Sequence, residues 1–143
     1  TELIAVLEGE PSAPVTMRFI GNRLRYLSPD ERCIAGLIKK GLEKACDRET
    51  ESTPGIYVSR KSFREVIEET GSEIIYLHEE GEVIENIDLE KEEVTFVLGD
   101  HIGLSEEDEA LLKDAKKASI SPMVLHADHC IIIVHNVFDR KNL

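Results

Sequence analysis

Two short segments in the second half of the chain carry the residues best suited to chemistry. Gly99-Asp100-His101-Ile102-Gly103 is a loop-like run bracketed by glycines, and His126-Ala127-Asp128-His129-Cys130 groups imidazole, carboxylate and thiol side chains. Glycines let a backbone approach a ligand closely. Imidazole and thiolate bind zinc and also act as catalytic groups. The sequence therefore offers three hypotheses: a ligand-binding loop, a metal site and a nucleophile pair.

The Gly99–Gly103 loop follows a strand-like run and precedes a helical pattern, as phosphate-binding loops do. However, residues 106–109 are all acidic, and they fall in the first turn of the following helix, where they would repel a polyphosphate. The chain also lacks GxGxxG and GK[ST] motifs. A neutral or cationic ligand that contacts backbone amides fits better, and two turn glycines without any ligand are the alternative.

The spacing around Cys130 favours neither a metal nor a nucleophile. On a helix His126 and His129 are neighbours, but Cys130 belongs to the apolar face and His135 points elsewhere. No CxxC or HExxH motif occurs, so we expect no metal. A metal-dependent hydrolase built on His126, Asp128 and His129 stays open as an alternative, as does a His126–Cys130 nucleophile pair. We prefer Cys130 as a buried residue that lines a pocket.

The elements that would position these residues are short apolar runs alternating with segments of helical period. This pattern predicts an α/β fold with a mainly parallel sheet flanked by helices, and ligands of such folds bind at strand-end loops. The predicted strands are Leu3–Leu7, Val15–Ile20, Ile56–Val58, Ile74–Leu77, Val94–Leu98 and Ser121–Val124.

Three helices have recognisable starts. Ser28 is predicted as the N-cap of the first with Pro29 at its first helical position, Ser105 as the cap of the second, and Asp128 as the cap of the last. The apolar stripe of the last helix is Cys130, Ile133, Val134, Val137 and Phe138.

Charge is divided unevenly along the 143 residues. The formal net charge is −12, yet residues 1–64 hold 11 Lys+Arg and 9 Asp+Glu, whereas residues 65–143 hold 6 and 20. The first half could therefore carry a basic face for nucleic acid, and solvated cations scattered over its surface are the alternative. Its cations fall into three groups: Arg18, Arg23 and Arg25; Lys39, Lys40 and Lys44; and Arg60, Lys61 and Arg64.

The chain has three cysteines without paired spacing and no apolar run long enough to span a membrane. We therefore expect a reducing cytoplasm and no membrane partner. Because the chain starts at Thr1 and enters a strand-like run almost at once, we also expect that residues are missing upstream.

Six motifs, in order, carry a family resemblance. They are Ser28–Arg32 (SPDER), Thr53–Val58 (TPGIYV), Leu77–Gly81 (LHEEG), Gly99–Gly103 (GDHIG), Ser119–Pro122 (SISP) and His126–Cys130 (HADHC). With this spacing the chain resembles the archaeal tRNA (pseudouridine-54) N1-methyltransferases of the SPOUT superfamily over nearly its whole length. We therefore expect residues 1–143 to form a single SPOUT methyltransferase domain that lacks the family's N-terminal strand and helix.

The resemblance implies a C-terminal trefoil knot, a homodimer and S-adenosylmethionine as cofactor, with methyl transfer to N1 of a pseudouridine in the T-loop of tRNA. Asp30 is then a candidate for proton handling or orientation, and Arg32 for phosphate or base contact. The cofactor-binding residues that the resemblance implies are Leu77, Gly99, Gly103, Ile120, Ser121, Pro122, Met123, Val124, Leu125 and Cys130. A SPOUT module that binds the ligand without catalysis is the second hypothesis. The dimer would cover the face of the last helix that bears Ile132, His135 and Asn136.

Overall fold

The first of two structural units, Thr1–Glu69, is built on a four-stranded antiparallel sheet with strand order β1-β2-β4-β3. The structure is a computed structural model, and it describes residues 1–141. The strands of this sheet are β1 (Glu2–Leu7), β2 (Val15–Ile20), β3 (Thr50–Thr53) and β4 (Ile56–Ser59). The prediction of a mainly parallel sheet is wrong for this unit. Strands β3 and β4 are joined by the two-residue turn Pro54-Gly55, and so short a connection permits only antiparallel pairing.

Helix α1 (Glu31–Lys44) packs against this sheet, and α2 (Phe63–Glu69) ends the unit. Leu37 of α1 is buried with residues of β2 and β4 in one hydrophobic cluster. The N-cap of α1 is Asp30, not the predicted Ser28. The reason is a local hydrogen bond: the Ser28 hydroxyl donates to the Asp30 carboxylate, which is left to accept from the backbone of the first turn. The predicted capping serine therefore supports the cap that the aspartate makes.

The second unit, from Thr70 onward, has a parallel three-stranded sheet with strand order β6-β5-β7. Its strands are β5 (Glu73–Val83), β6 (Val94–Val97) and β7 (Lys116–Ser119). Here the predicted parallel sheet is confirmed. The predicted strand Ser121–Val124 is wrong, because the last strand lies earlier, at β7, and Ser121–Val124 belongs to the loop that follows it.

Helices α3 (Glu106–Leu111) and α4 (Ala127–Lys141) complete this unit, with a short 3-10 turn at Ile84–Asn86. Ser105 caps α3 as predicted, because its hydroxyl accepts from the Asp108 amide. Asp128 lies within the first turn of α4 and is not its cap. Val134 and Val137 of α4 are buried against Ile75 and Ala118 of the sheet, and Ile133 and Phe138 pack around them, as the predicted stripe requires.

Within residues 1–141, no helix is long and apolar enough to cross a membrane. The prediction of a single domain over residues 1–143 stays a prediction.

Candidate functional site

A cavity of about 490 Å³ lies in the second unit, where loops leave the parallel strands. Tyr76, Leu77 and His78 of β5 form one wall, and the loop after β6 forms another. The segment after β7 and the first turn of α4 complete it. Its size falls within the range of about 300–1,000 Å³ typical of small-molecule sites. The two segments that the sequence singled out thus line one cavity.

The Gly99–Gly103 loop is folded by its own backbone. The Gly103 amide donates to the Asp100 carbonyl oxygen at 3.0 Å, and the Ile102 amide donates to Asp100 Oδ1 at 2.8 Å. Gly103 has φ of +87°, which L side chains rarely adopt. A Cβ atom on Gly99 would lie 2.7 Å from the Gly103 carbonyl carbon. Both glycines are therefore needed for the turn itself. The sequence predicted that glycines allow a close backbone approach to a ligand, and in the structure they allow Gly99 to lie close to the Gly103 backbone.

The segment after β7 is held by serine side chains. The Ser119 hydroxyl donates to the Ser121 carbonyl oxygen at 2.9 Å, and Ser121 Oγ accepts from the Met123 amide at 3.1 Å. This turn leaves Met123 and Val124 lining the cavity while remaining highly exposed. Apolar groups at the mouth of a cavity can be covered by a ligand.

Cys130 is a half-buried residue in the wall of the cavity, and its thiol is not activated as a nucleophile. Burial raises the pKa of its thiol, and the Asp128 carboxylate adds to that shift. A nucleophilic cysteine needs a lowered pKa and a cationic neighbour. The surroundings of Cys130 therefore favour the pocket wall over the His126–Cys130 nucleophile pair.

The histidines near the start of α4 do not converge on a metal site. The His126 and His129 rings meet edge to face with centroids 5.8 Å apart, and His129 Nε2 lies 3.9 Å from Asp128 Oδ2. In the part of the chain that the structure describes, no three His, Cys, Asp or Glu side chains are grouped to hold a metal. The hydrolase hypothesis thus has no cluster among residues 1–141 to support it.

Apart from three histidines, the charged or titratable polar groups that line the cavity are mainly acidic. Among the described residues that line it there is no Lys or Arg, whereas Glu79, Asp100 and Glu109 contribute carboxylates. The Tyr76 hydroxyl donates to Glu109 Oε1 at 2.9 Å, and burial together with this carboxylate raises the pKa of Tyr76 to about 12. A phosphorylated ligand would find no cation on these walls, whereas a ligand with a positive charge would be favoured.

Of the predicted cofactor-binding residues, all except Pro122 line the cavity. Several further lining residues were not predicted from the sequence. His78 and Glu79 adjoin Leu77 in the LHEEG motif, and that adjacency was the available signal. For Glu109 the sequence offered no such signal, because its position in the acidic first turn of α3 was already explained by the helix dipole. The other lining residues outside the predicted cofactor-binding set are Tyr76, Leu98, Asp100, His101, Ile102, Leu104, His126 and Ala127. Of these, Asp100–Ile102 lie in the predicted ligand-binding loop, and His126 was a candidate for the metal site and the nucleophile pair.

Asp30 and Arg32 belong to the first unit, at the start of α1. Asp30 Oδ1 accepts from the Cys33 amide at 2.8 Å, and Oδ2 accepts from the Ser28 hydroxyl. These two hydrogen bonds, the Ser28 one first, lower the pKa of Asp30. Arg32 is exposed. Asp30 thus acts as the N-cap of α1. Arg32 lies in the first turn of the same helix.

Comparison with known proteins shows which family the chain is similar to. The family described as "Putative SAM-dependent RNA methyltransferase" matches residues 1–143. The chain is 52% identical over 147 residues to the tRNA (pseudouridine(54)-N(1))-methyltransferase of Methanococcus vannielii, covering 98% of this chain and 74% of that protein. It is 48% identical over 151 residues to the enzyme of the same name from Methanocaldococcus jannaschii, covering 97% and 73%.

Among solved structures, the chain is similar to Archaeoglobus fulgidus Nep1, crystallised with S-adenosylhomocysteine. The TM-score is 0.61 at 18% identity, and the match covers 88% of this chain and 57% of that one. This likeness shows a shared α/β fold. The match over residues 1–143 and the identities of about half show more: the chain belongs to the family of SAM-dependent RNA methyltransferases.

Proposed function

We propose that the chain binds S-adenosylmethionine in the cavity of the second unit and methylates N1 of pseudouridine 54 in the T-loop of tRNA. The observation that carries this proposal is the cavity itself. It lies at strand-end loops, it has apolar walls and acidic polar groups, and no described Lys or Arg lines it. The names of the relatives, which are about 50% identical, support the acceptor.

The residues present fit the cofactor. S-adenosylmethionine bears a sulfonium and no phosphate, so it needs an apolar slot and gains from nearby carboxylates. Leu77, Ile120 and Leu125 supply apolar surface, and Glu79 and Asp100 supply negative charge. The Gly99–Gly103 loop lines the same cavity, with its Ile102 and Gly103 amides already donating to Asp100. We propose the full predicted set as cofactor-binding, with Pro122 shaping the turn between Ser121 and Met123.

When bound, the cofactor supplies an electrophilic methyl group, so transfer is a direct displacement that needs no covalent enzyme nucleophile. The neutral thiol of Cys130 suits a wall against which the ligand is held. The protein's main task is then to hold donor and acceptor in line at near-attack distance. The acceptor nitrogen must also lose its proton, to a carboxylate or to water.

For the acceptor side we propose Arg32 as a phosphate or base contact and Asp30 as the residue that orients it. Asp30 caps the turn of α1 in which Arg32 lies, and both of its carboxylate oxygens already accept hydrogen bonds. A carboxylate stabilised in its ionised form is a weak proton acceptor. Of its two predicted roles, these contacts support orientation over proton handling.

We also propose a homodimer with a C-terminal trefoil knot, acting in the cytoplasm. Ile132 of α4 is 66% exposed, and Ile131, His135 and Asn136 are exposed beside it. An exposed β-branched pair on a helix is a surface that a second copy could cover. The parallel sheet and the fold shared with Nep1 support a SPOUT fold, and the trefoil knot is part of what the family resemblance implies.

Two measurements test the function. Calorimetry with S-adenosylhomocysteine should give micromolar binding, with and without prior chelator treatment. Transfer of labelled methyl groups should occur to a tRNA with pseudouridine at position 54 and not to the matched transcript with uridine there. Binding without transfer would leave the non-catalytic module as the better hypothesis. Absence of binding by the folded protein would contradict the proposed function.

A further inference from the structure

The connection between β2 and α1 presents an aromatic side chain and two arginines on a firmly held backbone. We call Arg23–Leu27 the arginine loop. At its start the Arg23 and Leu24 amides donate to the Ile20 carbonyl oxygen at 2.9 and 3.2 Å. At its end the Cys33 thiol donates to the Tyr26 carbonyl oxygen at 3.2 Å. The loop is therefore tied to the sheet on one side and to α1 on the other.

The turn between β3 and β4 closes against the same loop. Gly55, at φ of +85°, lies so near that a Cβ atom there would be 2.6 Å from the Arg23 carbonyl carbon and from the Leu24 nitrogen. The Leu24 side chain packs against the core of the unit. Little conformational freedom is left to this backbone, so ordering it on binding would cost little.

The exposed polar side chains of the loop are Arg23, Arg25 and Tyr26, and they have no partner among residues 1–141. Tyr26 is 68% exposed, and Arg23 and Arg25, which precede it in the loop, are exposed as well. Among residues 1–141, none of these three side chains makes a hydrogen bond, ion pair or ring contact. An exposed aromatic ring is a surface that a partner could cover, and exposed guanidinium groups without an internal partner are available to an anion.

Several other cations of the first half differ in this respect, whereas Arg32, Lys39, Lys40 and Arg48 are likewise without a side-chain partner among residues 1–141. Arg18 pairs with Glu49 and Glu2, Lys61 with Glu69, and Arg64 with Glu68. Arg60 donates to the Ser12 carbonyl oxygen. The third basic group of the sequence is thus engaged within the protein, whereas Arg23 and Arg25 have no partner in the described part of the chain and can bind an external anion.

We propose that the arginine loop is an RNA-contact surface, on which Tyr26 stacks with an unpaired base while Arg23 and Arg25 bind the flanking phosphates. Unpaired bases are recognised by stacking on aromatic side chains and on guanidinium planes, and the backbone by cations. In a chain of net charge −12, cations without internal partners are complementary to a polyanion. The inference deepens the proposed function and rests on it for the identity of the RNA, a single-stranded loop of the substrate.

The test is RNA affinity of the full chain, measured by fluorescence anisotropy with a labelled tRNA at several salt concentrations. An Arg23→Gln/Arg25→Gln double variant should bind about 10-fold more weakly, with a salt slope lower by about 1.4, as two lost single-strand phosphate contacts require. Tyr26→Ala should weaken binding about 10-fold, and Tyr26→Phe should retain it, because stacking uses the ring and not the hydroxyl. Lys113→Gln, which removes an exposed charge from the second unit, is the matched control and should bind as the parent does.

Calorimetry with S-adenosylhomocysteine separates this inference from the proposed function, because the loop variants should keep the parent's affinity for that ligand. If the parent methylates tRNA and the loop variants bind RNA with the parent's affinity, the proposed role of the arginine loop is wrong and the proposed function stands. A parent that binds tRNA through the loop but never transfers a methyl group would support the loop and contradict the function.

Discussion

Gly99 faces the backbone of Gly103 so closely that a Cβ atom on Gly99 would lie 2.7 Å from the Gly103 carbonyl carbon and 2.9 Å from the Leu104 nitrogen. The obstacle is rigid backbone, not a flexible side-chain end. The two glycines of the GDHIG motif therefore act as a pair: one allows the close approach, and the other, at φ of +87°, makes the turn that brings it about. Because the loop lines the cavity, its shape should control ligand affinity.

Gly99→Ala should lower the affinity for S-adenosylhomocysteine at least 10-fold, because the loop must open to make room for the alanine side chain. Gly36→Ala is the matched control, since nothing lies within 4 Å of the position that its Cβ would take in α1. It should stabilise the protein by about 0.5–1 kcal/mol through helix propensity and leave ligand affinity unchanged. If calorimetry gives Gly99→Ala the same ligand affinity as the parent, the close packing of Gly99 against Gly103 does not control ligand binding.

Gly103 is tested separately because its constraint is conformational. Gly103→Ala should cost about 1–2 kcal/mol of the free energy of unfolding, and Gly103→Asn less, since asparagine tolerates left-handed backbone better than alanine. Nothing lies within 4 Å of its Cβ position, so crowding cannot explain a loss. Urea unfolding of both variants checks the order, and an alanine variant as stable as the parent would contradict it.

Cys130 should tolerate a smaller side chain and reject a larger one. Cys130→Ala leaves the wall apolar and should change the affinity for S-adenosylhomocysteine less than about three-fold. Cys130→Phe adds volume at the cavity wall and should lower that affinity more than 10-fold. Methyl transfer by Cys130→Ala near the parental rate is also expected, because the step needs no thiol. Loss of turnover in a folded, ligand-binding Cys130→Ala would reopen the nucleophile hypothesis.

The sequence predicted best those elements whose local signals agree with their surroundings. Val15–Ile20 has the bounds predicted, and it is a β-branched run whose first residues are buried. Helix α2 was missed although Ser62 and Glu65 form a reciprocal capping box, with the Ser62 amide donating to Glu65 Oε2 at 2.8 Å. That signal was present in the sequence and could have been used.

Other differences have no local signal. Strand β7 reads KKAS, and only Ala118 is buried, so its place in the sheet is set by pairing with β5 and not by its own hydrophobicity. Likewise, nothing near Arg23 or Arg25 indicates that these arginines stay free while Arg18 finds Glu49, a residue distant in sequence. Such features depend on tertiary contacts, which one sequence does not display.

Tyr76 should make stability depend on pH in the alkaline range. Its pKa is about 12 in the folded protein and close to 10 in an unfolded chain, so the unfolded state releases the proton first. The stabilisation is complete below pH 10 and is lost as the pH rises toward 12. Between pH 9 and pH 11 the free energy of unfolding should fall by about 1.3 kcal/mol through this residue.

Tyr76→Phe provides the control, because lysines titrate in the same range in both proteins. At pH 8 the variant should be about 1 kcal/mol less stable, for want of the hydrogen bond to Glu109. The difference should then shrink on going to pH 11. Urea unfolding at four pH values checks this, and parallel curves for the two proteins would show that Tyr76 is not buried against Glu109.

Asp30 should be replaceable by another good capping residue. Its carboxylate accepts the Cys33 amide at the start of α1, and serine makes the same type of bond. Asp30→Ala should therefore lower both the urea midpoint and the rate of methyl transfer to tRNA. Asp30→Ser should restore the urea midpoint and bring the transfer rate to within about three-fold of the parental rate. Arg32→Gln, which leaves the cap intact, should weaken tRNA binding without lowering the urea midpoint.

The serine variant distinguishes the two roles of Asp30, because a hydroxyl caps a helix but cannot accept a proton as a carboxylate does. General acid–base catalysis contributes about 100-fold or more to a rate. If Asp30→Ser unfolds like the parent but transfers methyl groups about 100-fold more slowly, the carboxylate takes the proton from the acceptor nitrogen and orientation is the wrong role. If the rate is retained, that proton passes to another group or to water, and Asp30 acts on catalysis only through the position of α1.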